Sequence, residues 1–446
     1  MISTPLLLTL ALSSVAVLLW LVMVRKMPVF IALLLVSVLM GLGSGMSPKL
    51  VLETLQAGMA GTLGFIAVVV GLGAIFGEVL NVSGGARQLA ETLLARWGES
   101  KAPWGLSLAG FLIAIPVFFD VGFVILAPLI YGLSKRSGKS LLYYAIPLLA
   151  GLAVTHSFVP PTPGPVAVAS ILGADLGWVI FFGAICGSVA MVCAGPVFGT
   201  YIGNKIYVPA ENFGLDVTEE SADLPPFSTV MFLVAVPLVL IVLNTVSGLI
   251  FVEGHWARNL FQFVGHPFIA LIIATLACLH FLGTRRGVSR QDLNRVATRA
   301  FEPAGIIILV TGAGGVFKQV LIESGVGQAL GEALANSQLP LIVAAFFIAT
   351  LVRVVQGSAT VSMITAAGLM APIVQVAQVS PPKLALIVVA IASGATVLSH
   401  VNDSGFWLVS RYLGLSEKQT LASWTVMETI IGSVGFGVAL LLSLWF

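Results

Sequence analysis

Two carboxylates and two histidines stand inside apolar segments, where an ionisable group is costly and marks a functional position. Asp120 interrupts one such stretch within Phe118-Phe119-Asp120-Val121-Gly122, and Asp403 lies in Ser399-His400-Val401-Asn402-Asp403-Ser404-Gly405. A carboxylate buried without a cation beside it can hold a proton near neutral pH, so Asp120 and Asp403 are candidate proton carriers. Asp403 can equally be read as the cap of a following helix, formed with its Asn and Ser neighbours. Histidine titrates near physiological pH, so His156 and His400 qualify as substrate donors or proton relays. Otherwise they are satisfied structural histidines, because no further His or Cys stands near either to make a metal site. Arg353 is the obvious cation for a substrate carboxylate, although a structural or snorkelling arginine fits the same position. Lys318 is open to both readings. Thr162, Ser358, Thr360, Asn402 and Ser404 offer hydroxyl and amide groups suited to a polyol, and Gly164, Gln356 and Gly357 share their segments.

The elements that must hold these groups are membrane helices. Hydrophobic residues form 58% of the 446 positions and charged residues 9%, with a mean hydropathy of +1.06, so the chain lives in lipid. Spans are predicted at 5–24, 28–45 and 58–82, followed by an interrupted stretch at 104–134, a broken segment at 141–175 and a span at 178–203. A polar interval, 204–226, reads as a cytoplasmic linker. Spans at 228–250, 267–284 and 303–322 follow, then an interrupted stretch at 339–374, a broken segment at 384–415 and a last span at 423–446. The first apolar stretch lacks the preceding basic residues of a cleaved signal and is expected to remain as a span. Basic residues are dispersed between apolar segments, which argues against nucleic-acid binding. Cys186, Cys193 and Cys278 show no ligand-like spacing and read as small hydrophobes.

The order of segments recurs. Gly71, Gly73, Phe76, Val79, Leu80, Ser83 and Gly84 align with Gly312, Gly314, Phe317, Val320, Leu321, Ser324 and Gly325, and with a small shift Pro128 falls on Pro372 and His156 on His400. Lys318 breaks the symmetry, because its counterpart is Gly77. The paired glycines suit close helix packing. With each interrupted stretch taken as a re-entrant hairpin, nearly all Lys and Arg outside the spans fall on one side and only Lys49, Arg258 and Lys383 on the other. The crowded side is then the cytoplasm. Five spans per half is an odd number, so the second half enters upside down, giving two inverted repeats, 1–203 and 227–446, with both termini periplasmic.

Irregular backbone at membrane depth is tolerated only where it is buried in protein or lines a wet cavity. The two tips, at Phe119–Gly122 and Gln356–Thr360, and the two breaks, at His156–Pro165 and Ser399–Gly405, are such segments. Four prolines between 160 and 165 prevent a continuous helix in the first break. The freed helix ends can face a ligand, and helix N-termini favour anions. An inverted-repeat carrier follows. An intramembrane enzyme using the His and Asp residues competes, yet no nucleophile motif, metal signature or nucleotide loop supports it, and no cofactor is expected. A channel is disfavoured by the internal inverted symmetry.

At these segments the chain closely resembles the gluconate permease family of gluconate:proton symporters, over nearly its whole length. The resemblance is carried by IPVFFDVGFVILAP (115–128), THSFVPPTPGP (155–165), TGAGGVFKQVL (311–321), RVVQGSATVSMIT (353–365) and SHVNDSGFWLVS (399–410). It implies an all-α polytopic protein of the bacterial inner membrane, related to the ion transporter superfamily, with re-entrant hairpins, a homodimeric scaffold and an elevator motion. It also implies a sugar acid and a proton as the transported partners, with idonate, fructuronate or D-serine as alternatives within the family. The full FFD tip and PPTPGP break look most like the sugar-acid members, and gluconate is the leading expectation.

Overall fold

The computed structural model describes residues 4–98, 101–210, 224–326, 339–401 and 403–446. Among the described residues every regular element is a helix. In chain order these are α1 (Thr4–Met23), α2 (Val29–Gly43), α3 (Pro48–Val82), α4 (Gly85–Trp97), α5 (Ala102–Ile113), α6 (Phe119–Ser137), α7 (Leu141–Phe158), α8 (Pro163–Leu172), α9 (Leu176–Val192) and α10 (Phe198–Lys205). They continue as α11 (Phe227–Ile250), α12 (Trp256–Val264), α13 (Pro267–Cys278), α14 (Arg290–Glu323), α15 (Leu341–Gln356), α16 (Ala359–Ala377), α17 (Pro381–Gly394), α18 (Ser404–Tyr412), α19 (Glu417–Thr420) and α20 (Val426–Leu442). Single π-helical turns at Cys193–Val197 and Leu421–Thr425 join α9 to α10 and α19 to α20 as longer rods.

Among the described residues, eight helical rods are long and apolar enough to cross a bilayer, which takes about 20 residues at a rise of about 1.5 Å. Large apolar side chains such as Leu39, Phe232, Leu276 and Phe347 stand exposed on the outside. On a protein in water such a surface would aggregate; in lipid it is the solvated face. The rod of α7 and α8 is central, with 94% of its apolar window buried against 28% for α11.

Two helices outrun the spans expected from hydropathy. The third span begins at Pro48 rather than at 58, because Ser47 caps the helix by accepting from the Leu50 amide and Pro48 suits its first turn. The span expected at 303–322 belongs to α14, which starts at Arg290 under the cap of Ser289. A hydrophobicity window sees the apolar part and misses these polar first turns. Of the polar linker, residues 211–223 lie outside the described residues. Its start is docked: the Ser140 hydroxyl donates to the Ile206 carbonyl at 2.8 Å, and the Leu141 amide donates to Val208 at 2.9 Å.

Helix directions follow from specific contacts. Ser107 of α5 donates to the Pro147 carbonyl of α7 at 2.9 Å, and Thr155 of α7 donates to Phe111 at 2.8 Å, so α5 runs parallel to α7. Tyr144 near the start of α7 meets Ser137 at the end of α6, while Gly122 lies against Leu152, so α6 runs antiparallel to α7. Hence α5 and α6 form a hairpin whose tip, residues 114–118, reaches the level of the break after Phe158. In the second half α15 also runs parallel to its neighbour: Ala349 lies by Gly394 of α17, and the Val354 carbonyl meets the His400 ring at 2.9 Å. Helices α3 and α14, which carry the matching glycine motifs, pack antiparallel. A Cβ on Gly58 would stand 2.8 Å from Gly315 and Val316, and one on Gly71 would stand 3.5 Å from the Phe301 ring.

Gly77 is a second point of backbone contact, since a Cβ there would come 1.9 Å from the Pro116 carbonyl oxygen at the first tip. Gly77→Val should therefore destabilise the detergent-purified protein by about 1–3 kcal/mol, seen as a lowered melting temperature. Gly132→Ala, where nothing lies within 4 Å, should not lower it. An unchanged melting temperature for the Gly77 variant would refute the close approach.

Candidate functional site

Both tips and both breaks meet at one cavity of about 450 Å³, within the range of small-molecule sites of roughly 300–1,000 Å³. Of the residues singled out in sequence, Asp120, His156, Arg353, Ser358, Thr360, Asp403 and Ser404 line it. Recesses of similar volume elsewhere lack this convergence. One holds Glu91, which is paired with Arg87 at 2.7 Å. Another holds Lys318, whose ammonium is spent on the Ile171 carbonyl at 2.5 Å, closing the C-terminal end of α8.

The first turns of three helices open on the cavity: Phe119–Val121 of α6, Ala359–Val361 of α16 and Ser404–Gly405 of α18. Unpaired amides and the helix dipole make each of these ends attractive to negative charge. Ser358 caps α16 by accepting from the Val361 amide at 3.5 Å, and Asp403 caps α18 by accepting from the Gly405 amide at 3.1 Å.

Asp403 does more than cap. Arg353 donates through Nη2 to its Oδ2 at 2.6 Å, and the Ser399 hydroxyl donates to the same oxygen at 2.5 Å. The Arg353 side chain is 1% exposed. Asp403 thus has a cation beside it, a pairing the sequence does not announce. Around the pair, the Trp424 indole donates to Ser399 at 2.7 Å and the Thr425 hydroxyl donates to the Ser399 carbonyl. Both donors sit on the π-helical turn Leu421–Thr425, a feature common at functional sites. Arg353 Nε and Nη1 are buried and have no hydrogen-bond partner among the described residues. An anion at this wall would be the acceptor they lack.

Asp120 is exposed at the first tip, and among the described residues it has no ion-pair partner. His156 sits beneath the tip, its ring 6.4 Å from that of Phe119, with Nδ1 buried and unpartnered among the described residues.

Among the described residues, the remaining expected ones are not brought to the cavity. The Thr162 hydroxyl turns inward onto the Val159 carbonyl at 2.6 Å, serving the break itself. Gly164 packs against the Met363 sulfur of α16. Gln356 ends α15, and Gly357 is its C-cap with φ +91°, a conformation that suits glycine. The His400 ring meets the Val354 carbonyl, and Asn402 lies outside the described residues. Sequence reasoning missed Glu428, Trp424 and Ser157, which line the cavity, and the α14 face from Pro303 to Val310. Glu428 was legible: it is a lone carboxylate in the apolar run TVMETIIGSVGF. The others carry no signal short of the fold.

A bundle of spanning helices whose interrupted segments converge on a charged, hydroxyl-lined cavity defines a multi-pass membrane transporter rather than an enzyme. Residues 5–445 match the GntP family permease model. The chain is 42% identical over 430 residues, 95% of each protein, to the low-affinity gluconate transporter of Escherichia coli K12. It is 39% identical over 424 residues, 94% of this chain and 93% of the other, to the gluconate permease of Pseudomonas aeruginosa. The YdaH transporter of Alcanivorax borkumensis shares the fold with a TM-score of 0.66 over 93% of this chain and 97% of that one, at 14% identity. The chain belongs to the GntP permease family.

Removing one partner of the buried pair leaves the other charge uncompensated, which costs about 3–5 kcal/mol. Asp403→Leu should show this loss in thermal unfolding, and the double variant Arg353→Met, Asp403→Leu should recover much of it. Equal destabilisation by the single and double changes would show that charge compensation is not what the pair supplies.

Proposed function

We propose that this protein takes up a sugar acid, gluconate foremost, across the bacterial inner membrane together with a proton. The observation that carries the reading is Arg353, buried at the cavity wall with two guanidinium nitrogens lacking acceptors among the described residues. Arginine matches a carboxylate in two-point geometry. The three helix N-termini add attraction for the same anion, and Ser157, Ser358, Thr360 and Ser404 stand ready for hydroxyl groups along its chain. Gluconate is favoured over D-serine by the number of these hydroxyls and by the gluconate names of the relatives above.

Charge explains why a proton should accompany the substrate. The cavity sets one guanidinium against three carboxylates, Asp120, Asp403 and Glu428, a formal −2 when all are ionised and His156 is neutral. Such a site repels a monoanion. Once an unpaired carboxylate has bound a proton, the repulsion falls, so proton and substrate favour each other's binding by linkage. Asp120, unpaired and at the tip, is a carrier on this reading; Asp403 holds Arg353 in place.

We place the two halves as inverted repeats and the transport step as an elevator-type movement of hairpins and broken helices against a homodimeric scaffold. Antiparallel packing of the motif-bearing α3 and α14, and the parallel course of α5 with α7 and of α15 with α17, support this. The distribution of Lys and Arg supports the sidedness, with periplasmic termini.

Purified protein in proteoliposomes should accumulate labelled gluconate when an inward proton gradient is imposed, and should show counterflow, which a channel would not. Arg353→Lys should lower uptake by about tenfold or more, since a point charge does not replace the planar fork. Asp120→Asn should flatten the pH dependence. If no member of a panel of sugar acids and D-serine accumulates in response to the gradient, the symport reading fails.

A further inference from the structure

The α20 rod presents a buried stripe to the rest of the protein: Met427, Glu428, Ile431, Gly432, Gly435 and Ala439. Apolar or small residues fill every place but one. Glu428 is 4% exposed and lines the cavity. Among the described residues it makes no hydrogen bond or ion pair. A carboxylate held this way is expensive, and a leucine or glutamine would satisfy packing at lower cost. Trp424 lies one helical turn before Glu428 on the same face, and its indole nitrogen is already committed to Ser399.

We propose that Glu428 is a proton-binding site of the transport cycle, an inference that rests on the symport reading above. A proton from water on one side forms an O–H bond with the Glu428 carboxylate and is returned to water on the other. The groups that share the cavity with it are Arg353 on α15, Asp403 at the second break, Asp120 on α6 and His156 on α7. Helices α9 and α17, which pack along α20, bring no charged side chain to the cavity; their ionisable residues are Cys186 in α9 and Lys383 in the first turn of α17. Asp403 is ill placed for the same task. Its Oδ2 accepts from both Arg353 and Ser399 and its Oδ1 from the Gly405 amide, so both oxygens are already engaged. Asp120 sits exposed in the first turn of α6, whereas Glu428 sits buried on a rod, Glu417–Leu442, that continues past it on both sides.

Two measurements on the full-length protein test this. In pH-difference infrared spectra without substrate, wild type should show a titrating protonated-carboxyl band, distinct from the one that Asp120→Asn removes, that Glu428→Gln lacks and Glu428→Asp retains, shifted. In proteoliposomes, Glu428→Gln should lose gradient-driven gluconate accumulation by about tenfold or more, with partial rescue in Glu428→Asp. Persistence of the full band in Glu428→Gln, or wild-type accumulation by it, overturns the assignment. The infrared result stands whichever acid is carried, so loss of the band together with failure of gluconate to accumulate in wild type would overturn the substrate and leave the proton site in place.

Discussion

A guanidinium removed from water and bonded to one carboxylate is the constraint around which the second half is arranged. Charges in a low-dielectric interior must be paired and hydrogen-bonded, and even then an apolar replacement can be as stable. Asp403 meets the requirement by ending the break and opening α18, so one carboxylate serves Arg353, Ser399 and a helix terminus. The π-helical turn at Leu421–Thr425 follows from the same need, since it turns Trp424 and Thr425 onto Ser399. A chain selected for stability alone would fill this space with leucine. Retaining the pair makes sense where a cation must be presented to an anion yet kept from closing on the nearest carboxylate at random.

Hydroxyl groups divide into two populations on similar grounds. Those of Ser37, Thr311 and Ser362 are returned to backbone carbonyls one turn back along their own helices, which hides them from lipid. Others bridge helices, as Ser107 and Thr155 do between α5 and α7. Still others tie the two halves: the Tyr131 hydroxyl of α6 donates to the Tyr412 carbonyl that ends α18, Thr245 of α11 donates to Asp175 at the start of α9, Thr275 of α13 donates to the Leu72 carbonyl within α3, and Lys318 closes α8. The two halves therefore hold each other both at helix ends and along helix interiors.

Much of this was legible before any coordinates, because lipid leaves a chain few options. Apolar runs with polar punctuation located the spans, and irregular stretches within them located the tips and breaks that meet at the cavity. Local capping chemistry was harder: Ser47 and Ser289 lengthen α3 and α14 through polar turns that hydropathy ignores. Direction of a side chain was harder still. Thr162 and Ser358 look alike in sequence, yet one turns to its own loop carbonyl and the other caps a helix at the cavity wall. Asp403 was recognisable both as a cap and as a buried acid, but its pairing with Arg353 joins residues 50 positions apart, and no periodicity encodes that contact. Glu428 was as legible as the broken segments, because an acid in an apolar span is as strong a sign.

The two hairpin tips are not chemically equivalent. One presents the carboxylate of Asp120, the other the hydroxyls of Ser358 and Thr360. In the inverted arrangement proposed above, a solute arriving from one face of the membrane meets an acid first, and from the other face a pair of neutral donors. Detailed balance fixes only the overall ratio of the forward and reverse cycles, so half-saturation can differ between the two faces while the equilibrium gradient stays the same. On that reading, a carrier built from near-copies of one motif would act as a kinetic rectifier, loading more readily from one face than from the other without altering the gradient it can hold.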